Sequence, residues 1–217
     1  MVACELCPRL RDHARNAAQV KRRAFLDWDY WGKPVPPFGD PQARVLVIGL
    51  APAAHGGNRT GRMFTGDRSG DFLYRALHET GFASQPESVS RVDGMRLQGV
   101  YITAAVRCAP PDNRPSPEEF RTCRPYLERE IDALNNVRVV VALGALAFQA
   151  YLGILQDGGV IRSRAPFVFG HDRQHHIAPG LPILISSYHP SQQNTSTGKL
   201  TATMLREVFE RARRLAF

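Results

Sequence analysis

"ARVLVIGLAPAAHGGNRTGRMFTGDRSGDFLYRAL" (Ala43–Leu77) begins as an almost uninterrupted apolar, β-branched run, Val45–Leu50. A strand covered on both faces reads this way, without the alternation of a half-exposed one. It ends in a helical pattern: Phe72, Leu73, Ala76 and Leu77 share one face, and Gly81 closes the helix. Between strand and helix lies a long polar turn, Gly49–Gly70. Ordinary connections are a few residues long. A connection this long and this rich in hydrogen-bond donors implies a bound ligand.

The same alternation continues outward. Val100–Ala105, Val137–Leu143 and Ile183–Ser187 read as further buried strands. "SPEEFRTCRPYLEREIDAL" opens with Ser116, Pro117 and Glu119, a capping box with proline at the first helical position. "LGALAFQAYL" follows the third strand, and the last helix carries Leu200, Met204, Leu205, Val208, Phe209 and Ala212 on one stripe. A weaker strand pair is expected at Pro166–Phe169 and near His175–Ile177. The fold class is therefore α/β: three layers, α/β/α, around a central, mainly parallel four-stranded sheet. One domain spans residues 1–217, with residues 1–35 as a helical extension. Three polar segments, after the first strand, after Cys108 and after Ser187, leave strand C-terminal ends. Ligands of open α/β sheets bind there.

The chain has 217 residues, 43% hydrophobic and 22% charged, as expected of a folded globular protein. Lys and Arg number 28 against 20 Asp and Glu, a net charge of +8. Such a surplus suits a polyanionic partner, although charge alone fits a merely basic protein equally well. No apolar run of about 18 residues exists to cross a membrane. "MVACELCPRL" lacks a signal pattern, so the expected location is cytoplasmic. Thiols there stay reduced, and a cysteine set more often binds metal than forms disulfides. Cys4 and Cys7 form a C-x2-C pair and Cys108 and Cys123 a C-x14-C pair, with no other cysteine. Four thiolates suit zinc or an iron–sulfur cluster, and spacing does not choose between them. The alternative is four free or buried thiols.

"APPDNRPSPEEF" after Cys108 is held extended by its prolines and sets Asn113 at its apex, as a group able to read a base edge or hold a water, or as a turn asparagine. In "LISSYHPSQQNTSTGKL", Pro190 biases His189 toward an extended backbone that aims its ring into the crevice. A phosphate-binding nucleotide loop is the weaker reading, because neither G-x-x-x-x-G-K-[ST] nor a G-x-G-x-x-G directly after a strand is present.

Taken together, "GLAPAAHGGNRTGRMFTGDRSG", "ITAAVRCAPPDNRP", "SYHPSQQNTSTGKLT" and the two cysteine pairs resemble the family 5 (type B) uracil-DNA glycosylases over nearly the whole chain. The resemblance implies an α/β/α DNA-repair glycosylase, acting as a monomer, with a structural [4Fe-4S] cluster on Cys4, Cys7, Cys108 and Cys123. Family 4 enzymes carry a glutamate where Leu50 stands. They carry a base-reading asparagine where Ala104 follows Ile102-Thr103. Those departures fit the type B group, which resembles a broader reader of deaminated bases, hypoxanthine included. A zinc-stabilised DNA-binding module without catalysis is the alternative.

Cleaving an N-glycosidic bond requires flipping the nucleotide into a pocket, neutralising the sugar cation and the departing base, and supplying a water. Phe64 offers a stacking face. Ala53, His55 and Gly66 from the first loop, with Ser191 and Asn194 from the last, are expected to line the substrate. His189 donates to the leaving base's carbonyl oxygen. Asp67, the only carboxylate of the first motif, manages the water or the sugar cation, or else caps the following helix. Asn113 meets the base or water from the opposite wall.

Overall fold

A computed structural model describes residues 1–217. Its strands are β1 (Phe38–Gly39), β2 (Val45–Gly49), β3 (Val100–Ala104), β4 (Val139–Leu143), β5 (Arg173–His175) and β6 (Ile183–Ser187). The helices are α1 (Pro8–Val20), α2 (Gly57–Thr60), α3 (Arg68–Glu79), α4 (Pro117–Ala133), α5 (Ala145–Asp157), α6 (Gln192–Ser196) and α7 (Ala202–Ala216). The sheet runs β1-β3-β2-β4-β6-β5. The four inner strands are parallel, and β1 and β5 pair antiparallel at the edges. The parallel core agrees with the four strands read from sequence, and the two short edges enlarge it to six. Pro166–Phe169 forms no strand. Phe167 and Phe169 are apolar because they lie against the core cluster around Phe148.

Side chains alternate across the sheet. Val45 and Val47 of β2 face α3 and α7, in a core with Leu73, Leu77, Leu205 and Phe209. Leu46 and Ile48 face the opposite way, toward Leu127 of α4 and Phe148 and Leu152 of α5. Both faces of each inner strand are thus buried, which is why their hydrophobic runs are continuous. A small third cluster joins Leu10 of α1, Val106, Cys108 and Cys123, with Cys7, Phe120 and Tyr126 against it. The Arg9–Glu119 ion pair, 2.7 Å, ties α1 to the N-terminal turn of α4.

The connections place a crevice. From β2 the chain moves to β3 on one side, then crosses to β4 on the other. The strand order therefore reverses between β2 and β4, and their C-terminal ends part there. Such a switch point is where open parallel sheets bind ligands.

Candidate active site

Two glycines stand at that switch point, Gly49 at the end of β2 and Gly144 after β4. A Cβ on Gly49 would come 2.7 Å from the Phe64 ring, and one on Gly144 would come 3.2 Å from Cβ of His189. Each glycine therefore leaves room for one ring, and the two rings meet with centroids 5.9 Å apart, tilted by 32°. Phe64 reaches this position through a left-handed backbone, φ +51°, a conformation that costs a bulky residue energy unless its surroundings fix it.

His189 makes no hydrogen bond through its ring nitrogens inside the protein. Burial lowers its pKa from 6.5 to about 4, so at neutral pH it is an uncharged imidazole with one N–H to offer. Its backbone is clamped: Asn194 Nδ2 donates to the His189 carbonyl at 2.9 Å. Ser191 caps α6 by accepting from the Asn194 N–H. Asn194 and Ser191 thus act first on the loop that carries His189.

Asp67 is the N-cap of α3. Its Oδ1 accepts from the Gly70 N–H at 3.0 Å. The capping role considered from sequence is real, yet it engages only one oxygen. Oδ2 fills the space beside Gly56, where a Cβ would approach within 1.9 Å. Burial raises the pKa of Asp67, opposed by the Gly70 and Ser69 N–H groups and by Arg59, and assisted by Asp71.

The remaining candidates are placed as follows. The Ala53 carbonyl accepts from the Gly56 and Asn58 N–H groups and so shapes the loop. His55 turns toward the N-terminal segment, with Nδ1 3.0 Å from Tyr30 Oη. Gly66 has φ +77° and gives its carbonyl to Arg59. Asn113 is exposed on a 3-10 turn, Pro111–Asn113, with φ +55°; its backbone N–H donates to the Pro110 carbonyl and its side-chain amide makes no hydrogen bond within the protein. The structure brings Phe64 and His189 into contact; it shows no contact between Asn113 and either.

The four cysteines are free and border one hollow together with Leu10, Arg11, Arg107 and Tyr126. As they stand, no three or more side chains form a ready metal site. Burial drives the thiol pKa of Cys108 up to about 11 and that of Cys123 to about 12, and raises that of Cys7. Left alone, these are protonated thiols. The surroundings nevertheless offer donors: Arg11 Nη1 lies 3.9 Å from Cys108 Sγ, and the Arg107 backbone N–H donates to Cys123 Sγ at 3.3 Å. Arg107 Nη2 pairs with Glu130, while its Nε and Nη1 are buried without a partner. Donors aimed at the sulfurs, the Arg11 guanidinium at Cys108 and the Arg107 backbone N–H at Cys123, suit an anionic thiolate-ligated group.

Residues 36–213 match the uracil DNA glycosylase superfamily. The chain belongs to that superfamily. It is 53% identical to the type-5 uracil-DNA glycosylase of Thermus thermophilus over 216 residues, covering 100% of this chain and 95% of the relative. It is 50% identical to the type-5 uracil-DNA glycosylase of Mycobacterium bovis over 214 residues, 98% of this chain and 78% of the relative. A type-4 uracil-DNA glycosylase of Pyrobaculum aerophilum is 31% identical over 189 residues, 87% of this chain and 78% of the relative. The alignment with the Thermus thermophilus relative covers 100% of this chain and so spans the N-terminal segment that lies outside the superfamily match. No helix is long and apolar enough to cross a membrane.

Sequence reasoning missed the buried arginines. In the sequence, Arg59 and Arg62 belong to a donor-rich loop awaiting a ligand, yet both are committed inside the protein. Arg62 pairs with Asp93 at 2.8 Å, both side chains buried, and donates to Ser88 Oγ at 2.8 Å. The only signal was their number within one loop.

Proposed function

We propose that this protein is a DNA-repair glycosylase that flips uracil and other deaminated bases, such as hypoxanthine, out of DNA and hydrolyses the N-glycosidic bond. One observation carries the reading: Phe64 and His189 face each other over Gly49 and Gly144, at the point where the strand order reverses. The flipped base stacks on Phe64. The C1′–N bond breaks, its electron pair goes to the base, and the sugar becomes cationic. Neutral His189 donates its N–H to the carbonyl oxygen on which that negative charge gathers. Such a preorganised donor is worth about 3 kcal/mol of barrier. Asp67, ionised, faces the sugar cation and takes the proton of the water whose oxygen joins C1′. Asn113, with an uncommitted amide, meets the base or the water from the β3 side.

Cys4, Cys7, Cys108 and Cys123 hold a [4Fe-4S] cluster. When bound, it supplies a clip between the N-terminal segment, the exit of β3 and α4. Binding requires the raised thiols to lose their protons, so assembly is opposed by acid. Arg11, with the backbone N–H of Arg107, offsets part of the resulting negative charge. Residues 1–217 act as one unit, as a monomer in the cytoplasm.

The test is an assay on otherwise identical DNA carrying uracil, hypoxanthine or xanthine, scored for abasic sites, with metal analysis of anaerobically prepared protein. Abasic sites at uracil and hypoxanthine and four irons per chain are expected. Binding without cleavage, and zinc in place of iron, would replace this reading by a metal-stapled DNA-binding module.

A further inference from the structure

Arg59 is buried, 3% exposed, and the roles above leave it unexplained. Its Nε donates to the His55 carbonyl at 2.8 Å and its Nη2 to the Gly66 carbonyl at 2.7 Å. Its Nη1 is buried without a partner. The guanidinium carbon lies 3.8 Å from the ring centre of Phe25 and 4.0 Å from that of Trp28. No carboxylate pairs with it at ion-pair distance. Burial lowers its pKa, and the charges of Tyr30 and Asp67 partly restore it.

The two carbonyls it holds flank the candidate carboxylate. His55 precedes Gly56, against which Asp67 Oδ2 rests, and Gly66 precedes Asp67 itself. A Cβ on Gly66 would lie 2.4 Å from Arg59 Nη2, so the fork and the glycine require each other. A brace alone would need no permanent charge, because a neutral donor spares the desolvation of a cation. The aromatic faces return part of that cost through cation–π attraction.

We propose that Arg59 is a positioning residue for Asp67: its fork joins the two ends of the loop around the carboxylate, and its caged charge keeps that carboxylate ionised in a dry pocket. This rests on the catalytic reading of Asp67 given above. The groups acting on Asp67 are the Ser69 and Gly70 N–H groups and Asp71 from α3, and Arg59 from α2. Arg59 is the only cation among them.

The experiment is single-turnover cleavage of uracil-containing single-stranded DNA as a function of pH, with thermal melts to confirm folding. Activity falls in acid as Asp67 takes up a proton. Arg59→Gln moves that midpoint upward by about one pH unit, the scale of losing a nearby opposite charge. Its rate recovers partly at high pH. Arg59→Lys keeps the midpoint near that of the unmodified protein while lowering the plateau, since the charge stays and the fork is lost. Should Arg59→Gln not fold, Trp28→Ala, on the half-exposed side of the cage, is read instead, with a smaller shift in the same direction. An equal loss of rate at every pH, with the midpoint unmoved, overturns the proposal and leaves Arg59 a brace. Asp67→Asn separates the two claims. A rate near that of the unmodified protein removes the catalytic reading of Asp67. A slow Asp67→Asn with an unmoved Arg59→Gln profile overturns only the role of Arg59.

Discussion

Two polar loops leave the C-terminal ends of parallel strands in this protein, and they are built in opposite ways. The loop after β2 is buried from Gly56 to Met63 and spends most of its donors inside the protein. Thr60 Oγ1 donates to the Gly56 carbonyl, Asn58 Nδ2 donates to the Ala14 carbonyl in α1, and Arg59 and Arg62 are locked internally. The loop after β6 is largely exposed from Gln192 to Lys199. Its hydroxyls bond to carbonyls within the same short helix, Thr195 to Ser191, Ser196 to Gln192 and Thr197 to Gln193. Both look alike in composition, rich in small polar residues. One is a wall whose shape is set before substrate arrives; the other is a presented surface that holds His189 at its root. Preorganisation belongs where charge develops, and exposure belongs where a large partner must be met.

The sharpest way to break this contrast is at Asp67, in the rigid wall. Asp67→Asn keeps a good N-cap and removes the charge. Single-turnover cleavage is expected to fall about a hundredfold to a thousandfold, by a similar factor on uracil and hypoxanthine, because both reactions form the same sugar cation. The melting temperature stays close to that of the unmodified protein. Asp67→Ala loses the cap as well and costs about 1 kcal/mol of stability. Two variants equally slow but differently stable separate cap from catalyst. Cleavage unchanged in both would leave Asp67 a cap only.

His189, at the root of the presented loop, ranks next. His189→Ala is expected to slow cleavage by about a hundredfold where the base is a poor leaving group, and by less where it departs easily. Its protonation also has a sign. The unfolded imidazole takes up a proton near pH 6.5, whereas the folded one waits until about pH 4. The unfolded state therefore binds more protons across that window, and His189 makes the protein less stable as pH falls through it. His189→Gln should flatten the loss of melting temperature between pH 6.5 and 4 relative to the unmodified protein. An identical pH dependence would mean that the ring is solvated.

What was legible in the sequence follows from the same physics. Strands β2, β3, β4 and β6 were readable because helices cover both their faces, which forces continuous apolar runs. Their ends shift by a residue or two, since Ala105 and Val106 still donate to the Gly49 and Leu50 carbonyls beyond the last strand residues. Strand β5, Arg173–His175, overlaps the strand expected near His175–Ile177 only at His175, because its first two residues are polar and exposed and carry no apolar period. Within the site, Phe64 and His189 stood out by type and position, whereas Gly49 and Gly144 gained their meaning only from the rings packed against them. Arg59 did not stand out, because its meaning depends on Phe25 and Trp28, more than thirty residues upstream. A buried cation in a polar loop looks like an exposed one until the fold brings its cage.

A smaller effect is expected at Asn194. Asn194→Ala removes the hydrogen bond to the His189 carbonyl and leaves the imidazole chemically intact. Loss of alignment then costs about tenfold, and it should follow the pattern of His189→Ala across substrates rather than that of Asp67→Asn. Single-turnover rates on two lesions decide between them. A uniform loss would place Asn194 with the water or the sugar instead.

The smallest effect belongs to Ser191. It caps α6, a helix of five residues, far too short to persist by its own backbone bonds. Ser191→Ala removes the bond to the Asn194 N–H, about 1 kcal/mol at most. That energy acts on local opening rather than on global unfolding, because α6 has no buried residue. The melting temperature should hardly move, while hydrogen exchange of the Asn194 and Thr195 amides accelerates. Cleavage of single-stranded uracil DNA should stay within about threefold, since the Asn194 side chain still holds His189. Duplex DNA asks more of this loop. If the presented surface meets the helix beside the flipped base, loosening α6 slows duplex cleavage more than single-strand cleavage. Equal slowing of both would mean that the loop serves only to carry His189, and the contrast between a preformed wall and a presented one would lose its functional meaning.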